Sequence, residues 1–190
     1  MRDDEPASMP VDFPAGTRPS RKLDERIWAR FPGVARITTA AVLALPRRSA
    51  LRRRLVVYWV VRSWEIFNRR DVEIELAAQD PDVRIHYARD PEDRMPPDFA
   101  GEFHGHDGFR RGWAAWFEAF EDLRVEPEEV TDLGAGRLLI RMRSVGRGAR
   151  SGALVEMGGY AVFTFRSGRL AEHLFFFDRE QAERAAGLRR

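Results

Sequence analysis

The sequence ALVEMGGYAVFTF at residues 153–165, a Ser-Gly dipeptide at residues 167–168 and the sequence LAEHLFFF at residues 170–177 decide the fold of this chain. Apolar and polar residues alternate along both long segments, and a period of two is typical of β-strands. The Ser-Gly dipeptide suits a tight hairpin between them. The Gly-Gly pair at residues 158–159 predicts a bulge or a sharp bend within the first strand. The segment therefore predicts a hairpin of long, bent antiparallel strands.

The sequence before this hairpin alternates between helical and strand patterns. Helices are predicted where apolar residues recur every three or four positions, and strands where they alternate. The expected helices span residues 50–69, 72–79 and 108–122, the expected strands span residues 83–87, 123–130 and 137–145, and an irregular loop covers residues 88–106. Helices followed by a run of long strands predict an α+β fold, in which helices lie on a curved antiparallel sheet around an apolar pocket.

Composition and charge restrict the class of protein. The chain has 190 residues, of which 44% are hydrophobic and 33% are charged, and its formal net charge is +2. This small net charge does not favour nucleic acid as a partner. No cysteine is present, which excludes disulfides and cysteine-ligated metal sites. The longest apolar stretches are far shorter than the roughly 20 residues that a membrane span needs, so we expect a cytoplasmic protein without a membrane span.

The first 45 residues differ from the rest of the chain. Residues 1–22 contain four prolines and few apolar anchors, which predicts a disordered tail. Residues 23–45 carry apolar residues at helical spacings, and either a short docked helix or a loose extension fits them. We therefore expect a flexible or loosely docked N-terminal extension over residues 1–45 and one domain over residues 46–190.

Several short motifs in this domain resemble those of one protein family. Their order and spacing carry the resemblance more than any single motif does. They are Phe67-Asn68-Arg69-Arg70-Asp71, Asp80-Pro81-Asp82-Val83, Phe103-His104-Gly105-His106-Asp107-Gly108, Leu123-Arg124-Val125, Phe165-Arg166-Ser167-Gly168-Arg169-Leu170, Phe177-Asp178 and Ala185-Ala186-Gly187-Leu188. Over about residues 52–187 the chain is identified by them as a member of the SnoaL-like branch of the nuclear-transport-factor-two-like superfamily. The resemblance implies a cone-shaped sheet wrapped around three N-terminal helices. It also implies a homodimer across the outer face of the sheet, here with Leu139, Val155 or Tyr160.

The superfamily includes ketosteroid isomerases, polyketide cyclases and proteins without known activity, so membership alone does not predict a reaction. Ketosteroid isomerase uses a carboxylate base together with a tyrosine and a protonated aspartate. Counted from Asp71, these three positions fall near Tyr87, Ser63 and Ala161 in this chain. None of them keeps the isomerase residue, so that chemistry is not expected here. Asp90, a few positions beyond Tyr87, is the fallback base.

The resemblance places one face of the last strand, with His173, against the cavity. A histidine there could serve as acid or base near neutral pH, and the simpler interpretation is a histidine that only hydrogen-bonds in the pocket wall. The leading hypothesis is a protein that binds a hydrophobic small molecule, with Tyr87, Ser63 and His173 orienting one polar group. The predicted catalytic residue is His173, and the predicted ligand-binding residues are Trp59, Ser63, Tyr87, Trp113, Phe117, Met142, Phe163, Phe175 and Phe177.

Two alternatives to simple binding stay open. The first is a cyclase, dehydratase or isomerase that acts on a polyketide-like or steroid-like ketone with His173 as acid or base. The second is a dimerising association module with a filled core and no ligand. An open cavity above roughly 300 Å³ that exposes His173 favours binding or catalysis. A cone filled by its own tryptophans favours the association module.

No cofactor is predicted, because the sequence has neither a phosphate-binding loop nor a dinucleotide-binding glycine pattern. His104, His106 and Asp107 could ligate a metal, but helix capping by His106 or Asp107 is the simpler interpretation, so no metal site is predicted. An arginine cluster could contact nucleic acid or anionic lipid, although a solvated helix start explains it more simply. The cluster consists of Arg47, Arg48, Arg52, Arg53 and Arg54.

Overall fold

The computed structural model describes residues 6–14, 20–96 and 99–188. The helices are α1 (Leu23–Arg30), α2 (Pro32–Ala44), α3 (Ala50–Asn68), α4 (Val72–Ala78), α5 (Gly105–Ala119) and α6 (Arg179–Ala185). The strands are β1 (Ala7–Pro10), β2 (Gln79–Tyr87), β3 (Gly101–His104), β4 (Arg124–Gly134), β5 (Arg137–Arg147), β6 (Leu154–Arg166) and β7 (Arg169–Phe176). The predicted α+β class is confirmed. No described helix is both long enough and apolar enough to cross a membrane.

The strands form one curved, unclosed sheet in the order β1-β4-β5-β6-β7-β2-β3. Neighbouring strands run antiparallel, except that β2 pairs in parallel with β7. Helices α3, α4 and α5 lie in the concave side of the sheet, as the predicted cone requires. Their apolar residues and the inward residues of the strands form one continuous core.

Helix α3 begins where the sequence predicts. The hydroxyl of Ser49 accepts a hydrogen bond from the backbone N–H of Arg52, which satisfies one of the free donors of the first turn. Val56, Val60 and Trp64 repeat at helical spacing, and all three are buried against the sheet. The apolar stripe of α3 therefore packs against the concave face of the sheet.

The glycine pair in β6 does not form the predicted bulge. Gly158 and Gly159 pair with Arg143 and Met142 of β5 without any change of register. A Cβ atom on Gly159 would lie only 2.5 Å from the ring of Phe175, so the glycine instead makes space for that ring. The register shift of β6 lies further along, between residues 164 and 165.

The outer face of the sheet is partly covered by α6. Ala182 and Ala186 of this helix form a small second core, and Leu139 and Tyr160 pack against it. Val155, the third residue expected at a dimer interface, packs against the main core. Homodimer formation stays a prediction.

The first 45 residues contribute both a strand and two helices. Residues 7–10, within the segment expected to be a tail, form β1 and pair with residues 129–132 of β4. Residues 1–5 and 15–19 of that segment lie outside the described residues. Helices α1 and α2, called the N-terminal helix pair below, pack against α4 and also contact α3 and β7. The pair therefore covers one end of the cone.

Ion pairs fix α1 on the domain. Glu25 is fully buried and accepts a hydrogen bond of 2.7 Å from Nη2 of Arg69 at the end of α3. Asp24 lies 3.3 Å from Nε of Arg62 on α3. Movement of α1 away from the domain would separate the buried Glu25 carboxylate from its cationic partner, which is strongly destabilising. These pairs therefore hold α1 in one position.

Two residues of the arginine cluster make hydrogen bonds within the fold. Arg52 is buried, and its guanidinium donates two hydrogen bonds, of 2.7 and 3.1 Å, to the carboxylate of Asp132 on β4. Arg47 donates to the backbone carbonyl of Asp132 at 2.6 Å. Arg53 and Arg54 are exposed. At least two members of the cluster therefore stabilise the fold and do not present their charge to a partner.

Candidate functional site

A small cavity lies under the N-terminal helix pair, between α3, α4 and the strands β5, β6 and β7. Its volume is about 80 Å³. The walls are mostly apolar and contain four aromatic rings. We call it the covered cavity, and its lining residues are Trp28, Ala35, Thr39, Trp59, Val60, Ser63, Ile66, Ile74, Glu75, Ala78, Gln79, Leu138, Phe163, Phe165 and Leu170.

Glu75 is the one ionisable residue in this lining. Its Oε1 atom accepts a hydrogen bond of 2.8 Å from the hydroxyl of Ser63 on α3. Its Oε2 atom has no hydrogen-bond partner among the described residues, and Glu75 makes no ion pair with any of them. The residue is only 9% exposed. The covered cavity is therefore lined by a buried carboxyl group that has one oxygen available.

Burial controls the acidity of this group. Removal of the carboxyl group from water raises the pKa of Glu75 to about 7, from an ordinary value of 4.5. The hydrogen bond from Ser63 acts in the opposite direction, and the negative charge of Glu25 raises the pKa further. Glu75 is therefore divided between its protonated and ionised forms near neutral pH, which is the condition for exchanging a proton with a ligand.

The position of Glu75 follows from the helical geometry of α4. Residues two positions apart on a helix point in directions about 200° apart, so Glu73 and Glu75 lie on nearly opposite sides of α4. Ile74 and Leu76 are buried. Glu73 faces outward, where Arg110 of α5 lies 3.4 Å away. Glu75 consequently points inward. Glu75 is not among the residues predicted from the sequence, because a glutamate in the first turn of a helix is favourable without any further role.

Three of the predicted ligand-binding residues come together at the covered cavity. They are Trp59 and Ser63 of α3 and Phe163 of β6. Tyr87, Trp113, Met142 and Phe175 are instead packed in the core. Phe117 and Phe177 are partly buried at its edge.

Aromatic side chains fill the deeper part of the cone. The ring of Tyr87 stacks on Phe99 with centroids 4.9 Å apart, and the indole of Trp116 lies edge-on to Phe99 at 4.8 Å. Burial raises the pKa of the Tyr87 hydroxyl above the ordinary value of 10. These rings occupy the space in which the resemblance places an isomerase base.

His173 lies on the inner face of β7, as its strand register predicts, but it does not line the covered cavity. Its ring packs edge-on against Phe163 and Tyr87, with centroid distances of 4.7 and 5.8 Å. Its Nε2 atom is buried and has no hydrogen-bond partner in the described structure. Burial lowers the pKa of His173 to about 3. The imidazole is therefore neutral at pH 7.

Asp90, the fallback base, makes hydrogen bonds within the turn that follows β2. Its carboxylate accepts hydrogen bonds from the backbone N–H of Arg94 at 2.7 Å and from the Arg94 guanidinium at 2.9 Å. Burial opposes ionisation, but these hydrogen bonds lower the pKa of Asp90. The carboxylate thus stabilises the loop after β2.

The histidine-rich turn before α5 does not assemble a metal site. No group of three or more histidine, aspartate or glutamate side chains within the described ranges could hold a metal ion. The helix begins at Gly105, earlier than predicted, so His106 and Asp107 lie in its first turn and the predicted cap by either residue is wrong. Asp107 instead lies 3.1 Å from Arg110.

A second, wider depression of about 790 Å³ lies on the surface between residues 89–96 with Phe99, the end of α5 and the β5–β6 turn. It exposes charged groups such as Arg89, Asp93 and Glu118 around a floor that includes Phe99. Because its walls are half polar, it lacks the predominantly apolar lining that is typical of small-molecule sites.

Comparison with known proteins identifies the family. The family model for the SnoaL-like domain matches residues 60–173. A nuclear-transport-factor-two-like protein of unknown function from Burkholderia pseudomallei is 28% identical, with a TM-score of 0.55 over 66% of this chain and 92% of that one. The match to TerC, co-crystallised with polyporic acid, has 20% identity and a TM-score of 0.54 over 67% of this chain and 95% of TerC.

Bal32a, from a soil-derived mobile gene cassette, is 18% identical, with a TM-score of 0.53 over 65% of this chain and 88% of that one. No curated protein matches the sequence. The matched segment runs from the middle of α3 to β7, so it contains the helices and strands that enclose the core. The chain therefore belongs to the SnoaL-like domain family.

Proposed function

We propose that this protein binds a compact, largely apolar small molecule in the covered cavity, and that Glu75 and Ser63 orient its polar group. The observation that carries the proposal is the Oε2 atom of a buried carboxyl group, which has no partner among the described residues, on a mostly apolar wall. Burial of such a group without a partner costs free energy, and a ligand that supplies the partner recovers it.

The size of the cavity limits the ligand. Ligand pockets commonly measure about 300–1,000 Å³, and the covered cavity measures about 80 Å³. It therefore admits only a compact molecule as it stands. A larger ligand requires the N-terminal helix pair to move, because Trp28, Ala35 and Thr39 on that pair form one wall. TerC was crystallised with polyporic acid, which supports ligand binding within this fold.

A matched pair of alanine variants tests the proposal. Ala78 lines the covered cavity at the end of α4, and Ala114 is exposed on α5. Cyclopentanol serves as a compact neutral probe, and saturation-transfer NMR detects its binding. The transfer signal should be present for the unmodified chain and for Ala114→Leu, and lost for Ala78→Leu, whose added side chain fills the cavity. Equal signals from both variants, or no signal from the unmodified chain, would refute the proposal.

A dimerising association module is the second candidate. Aromatic rings fill most of the cone, and the covered cavity of about 80 Å³ is smaller than the roughly 300 Å³ expected for binding and does not expose His173. Sedimentation analysis at several concentrations tests it. A dimer that shows no binding of cyclopentanol would favour this candidate over the first.

The cyclase, dehydratase or isomerase alternative loses support, because the histidine predicted as its acid or base does not line the covered cavity. Burial lowers the pKa of His173 to about 3, so its imidazole is neutral and only weakly basic at pH 7. Acid–base chemistry at this site would have to use Glu75.

A further inference from the structure

The two oxygens of Glu75 have different surroundings. Oε1 is held by the hydroxyl of Ser63 at 2.8 Å. Oε2 makes no hydrogen bond to a described residue. It is not one of the fully buried polar atoms without a partner, so part of its surface is accessible. Because Glu75 lines the covered cavity and is 9% exposed, that surface faces the cavity. A ligand in the cavity can therefore reach Oε2 directly.

The charges around Glu75 favour a cationic ligand. From α1, the nearest influence is Glu25, which is negative and already paired with Arg69 of α3. From α5, Arg110 is directed to Glu73 on the outer side of α4. The residues that α2, α3, β2 and the other strands contribute to the lining carry no positive charge. An anionic ligand would thus meet a second carboxylate and no cation, whereas an ammonium group would supply the missing counter-ion.

The remaining walls suit the same chemistry. Four aromatic side chains line the cavity, those of Trp28, Trp59, Phe163 and Phe165. Aromatic faces attract cations, tryptophan most strongly, and they also bury the carbon skeleton of the ligand. A neutral ligand could hydrogen-bond to Oε2 and to the buried amide of Gln79, which has no partner among the described residues, but it would gain nothing from the attraction of the rings for cations. An ammonium group would use both the carboxylate and the rings.

We propose that the covered cavity is a binding site for a compact aliphatic amine, with Glu75 as the counter-ion of its ammonium group and the aromatic rings around its carbon skeleton. This inference rests on the proposed function and names the ligand class for the same site. The volume of about 80 Å³ restricts the skeleton to one small ring or a short branched chain.

Three probes of equal ring size test the ligand class: cyclopentylamine, cyclopentanol and cyclopentanecarboxylate. Their affinities are measured by titration calorimetry at pH 8, where Glu75 is mostly ionised. The amine should bind about tenfold or more tightly than the alcohol, and the carboxylate should bind most weakly. Glu75→Gln should abolish the preference for the amine over the alcohol, because the amide cannot act as a counter-ion. Glu118→Gln, at an exposed glutamate on α5, is the matched control and should behave like the unmodified chain.

Proton release gives a readout that needs no variant. At pH 7 Glu75 is about half protonated, so formation of the ion pair should release roughly half a proton for each amine bound. Calorimetry in two buffers with different ionisation enthalpies measures this number. Equal binding of amine and alcohol together with no proton release would overturn the amine assignment and leave the proposed function intact. Failure of all three probes to bind would overturn both.

Discussion

The substitution Glu75→Gln tests the buried carboxyl group through protein stability. The amide has the same shape as the carboxyl group and can still accept the hydrogen bond from Ser63, but it cannot ionise. In the folded chain burial raises the pKa of Glu75 from 4.5 to about 7. A raised pKa means that the folded state holds the proton more tightly than the unfolded state does. The stability that this group contributes is therefore complete below pH 4.5 and is lost as the pH rises through 7.

The magnitude follows from the size of the shift. Each pH unit between the two pKa values corresponds to about 1.4 kcal/mol, so the change from 4.5 to about 7 amounts to roughly 3 kcal/mol. The unmodified chain should lose this amount relative to Glu75→Gln between pH 4.5 and pH 8. The difference between the two proteins is the quantity to measure, because His173, whose pKa is lowered to about 3, changes the stability in the opposite direction over part of this range.

Urea denaturation at intervals between pH 4.5 and pH 8.5 provides the measurement. Glu118→Gln serves as the control, since Glu118 is exposed and should show a stability difference that does not depend on pH. If the stability difference between Glu75→Gln and the unmodified chain is also independent of pH, Glu75 is solvated and the description of the covered cavity is incorrect.

Three further substitutions test other parts of the structure. Arg52→Met removes one partner of a buried ion pair and should lower the free energy of unfolding, measured by urea denaturation, by about 3–5 kcal/mol. Arg53→Met, at an exposed position, should change it by less than about 0.5 kcal/mol. Similar losses for the two variants would contradict the buried ion pair. His173→Phe should bind cyclopentanol normally, because His173 lies outside the cavity. The lowered pKa of His173 gives the unmodified chain stability that is present above pH 6.5 and lost as the pH falls. The free energy of unfolding of His173→Phe should therefore rise by roughly 3 kcal/mol relative to the unmodified chain between pH 7 and pH 4. Loss of binding, or an unchanged pH profile, would oppose this reasoning. Glu25→Gln removes the buried charge that holds α1, so amide hydrogen exchange in α1 and α2 should become about tenfold faster, while exchange in α5 should not change. An equal effect on all helices would show that the N-terminal helix pair does not open as a separate unit.

Much of the fold could be predicted because its signals are local. The stripe of Val56, Val60 and Trp64 has the period of a helix, and the alternating residues of β5, β6 and β7 have the period of a strand. The parallel pairing of β2 with β7 and the position of β1 depend on contacts between distant segments. The docking of α1 likewise depends on Glu25 and Arg69, which lie 44 positions apart. Such contacts leave no periodic pattern in the sequence.

The site could be predicted only in part for a related reason. Sequence register correctly indicated that Tyr87, Phe163 and His173 face inward, but several inward rings compete for the same space. Tyr87 and His173 pack against each other, while Phe163 borders the gap that remains. Which side chains touch and which leave a cavity is decided by three-dimensional packing. Glu75 was missed because an acidic residue in a first helical turn already has a sufficient local explanation.

Intermolecular NOEs from bound cyclopentylamine test the central claim most directly. The described structure predicts NOEs from the ring protons of the amine to the indole of Trp28 on α1 and to the ring of Phe163 on β6, since both line the one cavity. NOEs confined to side chains of the surface depression, such as Met95 or Ala149, would contradict the claim that ligands enter beneath the N-terminal helix pair.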